Sequence, residues 1–386
     1  MSTEPEAWLR PVALLRLAVP AAAAALLHNL YRPVDQFFVS WLGSEAQAAL
    51  GACVFVLIAL YGCAVLVSAG VGPLVARAVG AADARNQAEH VATGLLGSAG
   101  VALAMAVAGW ALVWPVVWGL GLTGETASHA ALYLTVLLVT GAAIAVGPLV
   151  DACFVGLGNT TLPLVLQAIA VALNLGLTPL FIYGLDLGVA GAALGTTLSQ
   201  GLATAAGLWF LRSAVGLRLE HLQRAWMELW PRARRVVRVG SPVAAGVILY
   251  AVVYWAMIAT TLAPLGKDAL AGLGIGFGGL EAFAWPLYLG CTVAVQSLVG
   301  RCLGAGRPDL AWLAIRRMLG PQLVLGFGVG AVFWFLGPTL VSGLAADEGA
   351  LREGALYAII LAWSQPFVSL EALFEGVLAG SGDTTT

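Results

Sequence analysis

Among the carboxylates inside apolar runs, three stand out. Asp35 falls in LYRPVDQFFVSWLG, Glu281 in GLEAFAWPLYLG, and Glu371 in the last apolar run of the chain. An ionisable side chain at membrane depth costs roughly 3 kcal/mol or more and tends to mark an ion or proton pathway. The chemistry open to such an acid is reversible binding of a proton or a cation, because leaving water disfavours the charged carboxylate. Arg32 offers Asp35 a plainer role, an ion pair three residues away on one helical face, which His28 also shares. Pro33 removes a helical hydrogen bond beside the acid and permits a bend. Glu281 and Glu371 read either as second protonation or cation sites or as hydrogen-bonded braces. Asn174, Thr178, Thr196, Thr197 and Gln200 occupy two later apolar runs. Singly, each suits an interhelical hydrogen bond. Together with Asp35 they can line one polar pocket.

No other chemistry is written in the chain. It has no H-E-x-x-H, no G-x-S-x-G and no nucleotide-binding G-x-x-x-x-G-K-[ST] loop, so it does not read as an enzyme, and any pumping must draw on an ion gradient. The five cysteines, Cys53, Cys63, Cys153, Cys291 and Cys302, form no C-x-x-C pair and read as packing thiols. No metal site and no cofactor beyond a coupling H+ or Na+ is expected. The net charge of −2 gives no reason to expect nucleic acid.

The elements that must hold these acids are membrane helices. Of 386 residues, 60% are apolar and 10% charged, against about a quarter charged in a soluble domain. Mean hydropathy is +0.93. Spanning takes roughly 20 apolar residues, and helices satisfy their own backbone in lipid. Ten such segments are expected, at about 14–40, 48–76, 91–117, 128–153, 162–183, 189–211, 242–264, 269–299, 311–337 and 354–379. Trp41, Trp110, Trp114, Trp118 and Trp334 read as interface anchors. Tyr254, Trp255, Trp285 and Tyr288 are candidates to face a cleft.

The chain also repeats itself. LVARAVGA at 74–81 returns as LVGRCLGA at 298–305, and Arg77, Gly80, Gly158 and Asn159 meet Arg301, Gly304, Gly382 and Asp383 at one offset of 224. Duplicated lobes commonly flank a transport path. Asp35 breaks the repeat, with Ile258 at its counterpart, and Glu371 is opposite Gly147. Asp151 and Glu375 do match, and read as duplicated braces, with Arg77 and Arg301 as candidate partners. The division expected is a first lobe over 1–215, a basic linker over 216–240 lying along headgroups, and a second lobe over 241–386. Six helices precede the linker and four follow it. The chain stops at GSGDTTT before two further helices, so a truncated second lobe is expected.

Basic residues set the orientation. With a cytoplasmic N-terminus, fifteen arginines fall on the cytoplasmic side and only Lys267 and Arg352 opposite.

At this point a resemblance emerges. VDQFFVSWLG followed by AALG, LVARAVGAADARNQA paired with LVGRCLGAGRPDLA, GLGNTTLP paired with GVLAGSGDT, and LNLGLTPLFIYGLDLGVAGAALGTTLSQ resemble, in order, motifs of the multidrug and toxic compound extrusion (MATE) family. The likeness covers nearly the whole chain. It implies an all-α integral membrane fold, a two-lobed bundle of parallel internal repeats with 6 + 6 helices, about 6 + 4 of them present here. It implies secondary active export of organic cations or amphipathic drugs against protons or sodium. On that resemblance Asp35 carries the coupling, with Tyr31, Asn174 and Thr196 beside it. Thr178 stands where an aspartate often follows the asparagine, which leaves Asp35 the sole acid of that site. Glu281 resembles a helix-eight glutamate, and Glu371 approximates a helix-ten acid. Tyr250, Tyr254 and Trp255 occupy the region of the family's helix-seven glutamate.

The function expected is therefore drug efflux by alternating access, from a multi-pass monomer in a bacterial inner membrane, with a small drug-like substrate and lipids as its partners. A lipid-linked precursor flippase of the same fold is the alternative, disfavoured because Arg32 alone is a deep cation. A non-transporting membrane protein is the third reading.

Overall fold

The computed structural model describes residues 5–262, 265, 267–345 and 348–383, and among them there is no strand. The helices run as α1 (Pro11–Asn29), α2 (Tyr31–Val39), α3 (Ser44–Ala52), α4 (Val54–Gly80), α5 (Ala84–Gly119), α6 (Gly124–Thr140) and α7 (Ala142–Gly156). They continue as α8 (Thr161–Pro179), α9 (Gly188–Ala214), α10 (Leu219–Met227), α11 (Leu229–Met257), α12 (Lys267–Leu273), α13 (Ala282–Gly304), α14 (Pro308–Ser342) and α15 (Glu348–Ser381). Among the described residues eight stretches are long and apolar enough to cross a bilayer, or nine if α6 and α7, bent by 53°, form one span. The sequence count of ten adds α9, a 27-residue helix richer in Gly, Ser and Thr.

Three expected spans depart from regular α-helix along their length, and one of them is sharply bent. The first span, Pro11–Leu42, is interrupted at Leu30, three residues before Pro33, and continues as α2 without a sharp bend. The fourth divides at Gly141, where a Cβ would strike the Leu137 carbonyl. The eighth opens with a π-helical stretch over Gly274–Glu281 before α13. π-Helical turns are rare and frequent at functional sites.

The two larger apolar cores of the first half stand beside a smaller one around Tyr31, Leu166, Val171 and Ala203. One joins α3 to α6 and α9 around Val39, Cys53, Leu134 and Ile182, and the other joins α4, α5 and α7 around Val71, Leu149 and Phe154. In the second half one core belongs to α13 and α14 and takes in Trp8, Leu9, Leu14 and Leu17 from the N-terminal end, and another lies around Leu280, Phe333, Val341 and Ala358. Helix one is therefore shared: its start packs on the second half, and its continuation α2 packs on α8 and α9.

The stretch expected as a linker, 216–240, contains α10 and the first turns of α11. It is fastened to α5 by Glu89, whose side chain is 6% exposed. Glu89 pairs with Arg85 at 2.9 Å, Arg232 at 2.8 Å and Arg224 at 3.7 Å. Trp226, Met227 and Trp230 are exposed beside it. The five interface tryptophans of the sequence reading are exposed as well.

Candidate functional site

The site begins at the break in helix one. Tyr31, Asp35 and Val39 recur every four residues on α2 and form its buried face. Because α2 leans on α8 and α9, that face meets the polar residues of those helices. Asp35 is 4% exposed, Asn174 and Thr178 are fully buried, and Thr196 is buried.

The hydrogen bonds form a directed chain. Asn174 Nδ2 donates to Thr178 Oγ1 at 2.9 Å and to Thr196 Oγ1 at 3.1 Å. Thr196 Oγ1 in turn donates to Asp35 Oδ2 at 2.7 Å. This uses both amide protons of Asn174 and the only hydroxyl proton of Thr196. Asp35 Oδ1, Asn174 Oδ1 and the Tyr31 hydroxyl are buried without a hydrogen-bond partner among the described residues. Two of these three atoms are acceptors only, so an ionised Asp35 leaves the pocket short of donors. A proton on Asp35 supplies one, and a small cation would fill the same deficit.

The structure therefore brings Tyr31, Asp35, Asn174, Thr178 and Thr196 together. It leaves out Gln200, which is half-buried one turn beyond Thr196 and joins no hydrogen bond of the cluster. Thr197 turns the other way and accepts from Thr140 at 3.0 Å. The plainer role for Asp35 does not occur: Arg32 is exposed, and no ion pair links the two. His28 lies edge-on to Tyr31, ring centroids 5.9 Å apart, and 6.2 Å from Tyr61.

The second-half acids are dispersed. Glu281, the last residue of the π-helical stretch, accepts a hydrogen bond from the Tyr357 hydroxyl. Near it Tyr250, Tyr254 and Phe277 pack with Phe55 of α4, centroids 4.5–6.3 Å apart, so aromatic rings bridge the two halves. Glu371 is exposed and lies 14 residues, about 21 Å of helix, beyond Tyr357. The structure does not gather Glu281 and Glu371 into one site.

Two expectations need correction. Asp151 and Glu375 are exposed and enter no salt bridge among the described residues, so they do not brace Arg77 and Arg301. Arg301 instead lies over the Trp8 ring, 4.2 Å from its centroid, and the Arg77 guanidinium lies against Gly382. Tyr288, a candidate for the cleft, is fully buried and donates to Gln365 at 2.8 Å. Tyr357 was missed altogether, since a tyrosine in an apolar helix carries no signal of its partner.

The matches to known proteins agree with this architecture. The family described as MatE matches residues 20–180 and 242–386. A probable multidrug resistance protein NorM of Thermotoga maritima is 26% identical, the match covering 96% of this chain and 80% of that protein. The multidrug export protein MepA of Staphylococcus aureus is 28% identical over 52% of this chain and 44% of its own. Among solved structures, the Vibrio cholerae MATE transporter VcmN in its bent form superposes with a TM-score of 0.89 at 21% identity, covering 99% of this chain and 86% of that one. That likeness is one of fold. A family match over most of the chain, an all-helical membrane fold and a single buried acid at the break of helix one lead to one assignment: the chain belongs to the MatE family, the multidrug and toxic compound extrusion transporters.

Proposed function

We propose that this protein is a secondary active exporter that exchanges organic cations or amphipathic drugs for protons, with sodium as the other candidate ion. Asp35 is the coupling group. The observation that carries this reading is the arrangement around it: a buried acid with one donor on Oδ2, an orphan Oδ1, and the orphan acceptor of Asn174 in the same cluster. A carboxylate held this way alternates between a bound proton and an open acceptor. It cannot favour a proton and a cationic substrate at once, and that competition couples the two fluxes. The break at Leu30 beside Pro33 gives helix one a place to bend when the charge changes. The inner membrane and a cytoplasmic N-terminus complete the proposal, supported by the fifteen-to-two distribution of basic residues.

The test uses proteoliposomes with an imposed pH gradient and ethidium as the probe. Wild type should move ethidium against the proton gradient, and Asp35→Asn should not. Equal transport by the two overturns the role of Asp35. An imposed sodium gradient separates the two ions.

A further inference from the structure

Proline in a membrane helix leaves the carbonyl four residues earlier without its helical donor, and a neighbouring side chain can fill the vacancy. This chain does so visibly. Pro20 lies inside α1 and strips the Arg16 carbonyl of its donor, and the Thr160 hydroxyl reaches over that point, 2.9 Å from the Leu17 carbonyl and 3.2 Å from that of Arg16.

The same device occurs where the two halves meet. Pro286 lies inside α13 and leaves the Ala282 carbonyl without its α-helical donor. Asn29 Nδ2, from the last residue of α1, donates to that carbonyl at 2.7 Å. Asn29 stands four residues before Pro33, so its own carbonyl is freed in the same way. The bond thus joins two proline-weakened points, one in each half. On one side it is followed immediately by the break at Leu30 and then by Asp35. On the other it adjoins Glu281, the last residue of the π-helical stretch. Below it the seam is tight: a Cβ on Gly290 would sit 2.5 Å from the Ala18 carbonyl. Above it helix one leaves the seam, and α2 packs on α8 and α9 instead. Asn29 also breaks the repeat, with Val252 at an offset of 223.

We infer that Asn29 is a positioning residue for coupling. Its amide, held by the carbonyl that Pro286 frees, pins α1 to the second half, so that movement of α2 about Leu30 is transmitted to the helix that carries Glu281. Without the bond, α1 and α2 can move together, and a change at Asp35 no longer displaces one half against the other. This rests on Asp35 as the coupling acid, and goes beyond it by naming the inter-lobe contact through which that acid acts.

The experiment is a distance cycle on the full chain in nanodiscs. Spin labels are placed at Ser128→Cys and Arg352→Cys, both exposed sites, with the five native cysteines replaced. Asp35→Asn serves as the neutral state of the acid. With Asn29 present, Asp35→Asn should shift the inter-label distance. With Asn29→Ala or Asn29→Asp, neither of which keeps the amide donor, that shift should vanish, and ethidium export should fall about fivefold or more, the worth of one buried hydrogen bond. Should the Asn29 variants fail to fold, Pro286→Ala restores the helical donor to Ala282 and should itself shrink the shift. Where all fold, Asn29→Ala added to Pro286→Ala should cost nothing further. A full shift in the Asn29 variants, no shift on neutralising Asp35 in the native background, or effects of Asn29 and Pro286 that multiply would each overturn the inference. A wild type that exports no ethidium, yet shows the Asn29-dependent shift, would overturn the export reading and leave the tether standing.

Discussion

Gly80 lies against the backbone carbonyl of Arg301, so close that a Cβ on the glycine would collide with it. The reciprocal contact exists as well: a Cβ on Gly304 would collide with the carbonyl of Arg77. Arg77 and Arg301, like Gly80 and Gly304, are repeat partners 224 residues apart. The duplicated motif therefore meets its own copy, at the shared ends of α4 and α13, through a crossing that only glycine permits.

Gly80→Leu or Gly304→Leu must push that crossing apart. Overpacking typically costs about 1–3 kcal/mol, and a rigid backbone partner places these at the upper end. Each should lower the melting temperature in detergent by several degrees, read by intrinsic tryptophan fluorescence. Gly320→Ala, with nothing within 4 Å of its Cβ position, is the control and should leave it unchanged.

Thr196 is the one side-chain donor hydrogen-bonded to Asp35 among the described residues. Thr196→Val keeps the shape and removes the bond, which for a charged acceptor is worth about 1.5–3 kcal/mol. Ethidium export in proteoliposomes should fall by roughly tenfold or more. Thr196→Ser keeps the hydroxyl and should retain most of the activity. Equal loss in both variants would show that packing, not the hydroxyl, matters there.

Asn174 holds Thr178 and Thr196 with its two amide protons. Asn174→Leu leaves both hydroxyls without their donor in a buried site, at about 1–3 kcal/mol each. Asn174→Asp brings a second acid beside Asp35 and should change the dependence of export on external pH, while Asn174→Leu should lower export at every pH. The same proteoliposome assay, run from pH 6 to pH 8, distinguishes them.

Glu89 gathers three arginines with its side chain 6% exposed, whereas the Arg85 side chain is 67% exposed. Removing Glu89 unties the solvent-reaching Arg85 and Arg224 and leaves Arg232 to Glu228 at 2.8 Å, so Glu89→Ala should cost about 1.5–3 kcal/mol. Arg85→Ala removes an exposed pair worth about 0–1 kcal/mol and should be nearly silent. Limited trypsin digestion between Arg218 and Arg238 gives the readout: cleavage should accelerate in Glu89→Ala alone.

The class, the repeat and the acid of helix one were legible from the residues alone. Composition excludes a water-facing surface, a single offset of 224 pairs distant motifs, and Asp35 stands out because Ile258 takes its place in the second half. Asn174, Thr178 and Thr196 were legible as polar residues in apolar helices, since such groups must find partners. What the sequence left open was which partners. Arg32 and Asp35 share a helical face, yet Asp35 bonds Thr196, 161 residues away, because α2 turns into the first half and leaves Arg32 outside. Asp151 and Glu375 match in register but pair with no arginine among the described residues, because matching positions in two copies do not decide what each side chain meets. Asn29 and Ala282 are 253 residues apart, and no local pattern links them. Only the packing of helix one along α13 brings an amide to a carbonyl that a proline had left without its donor.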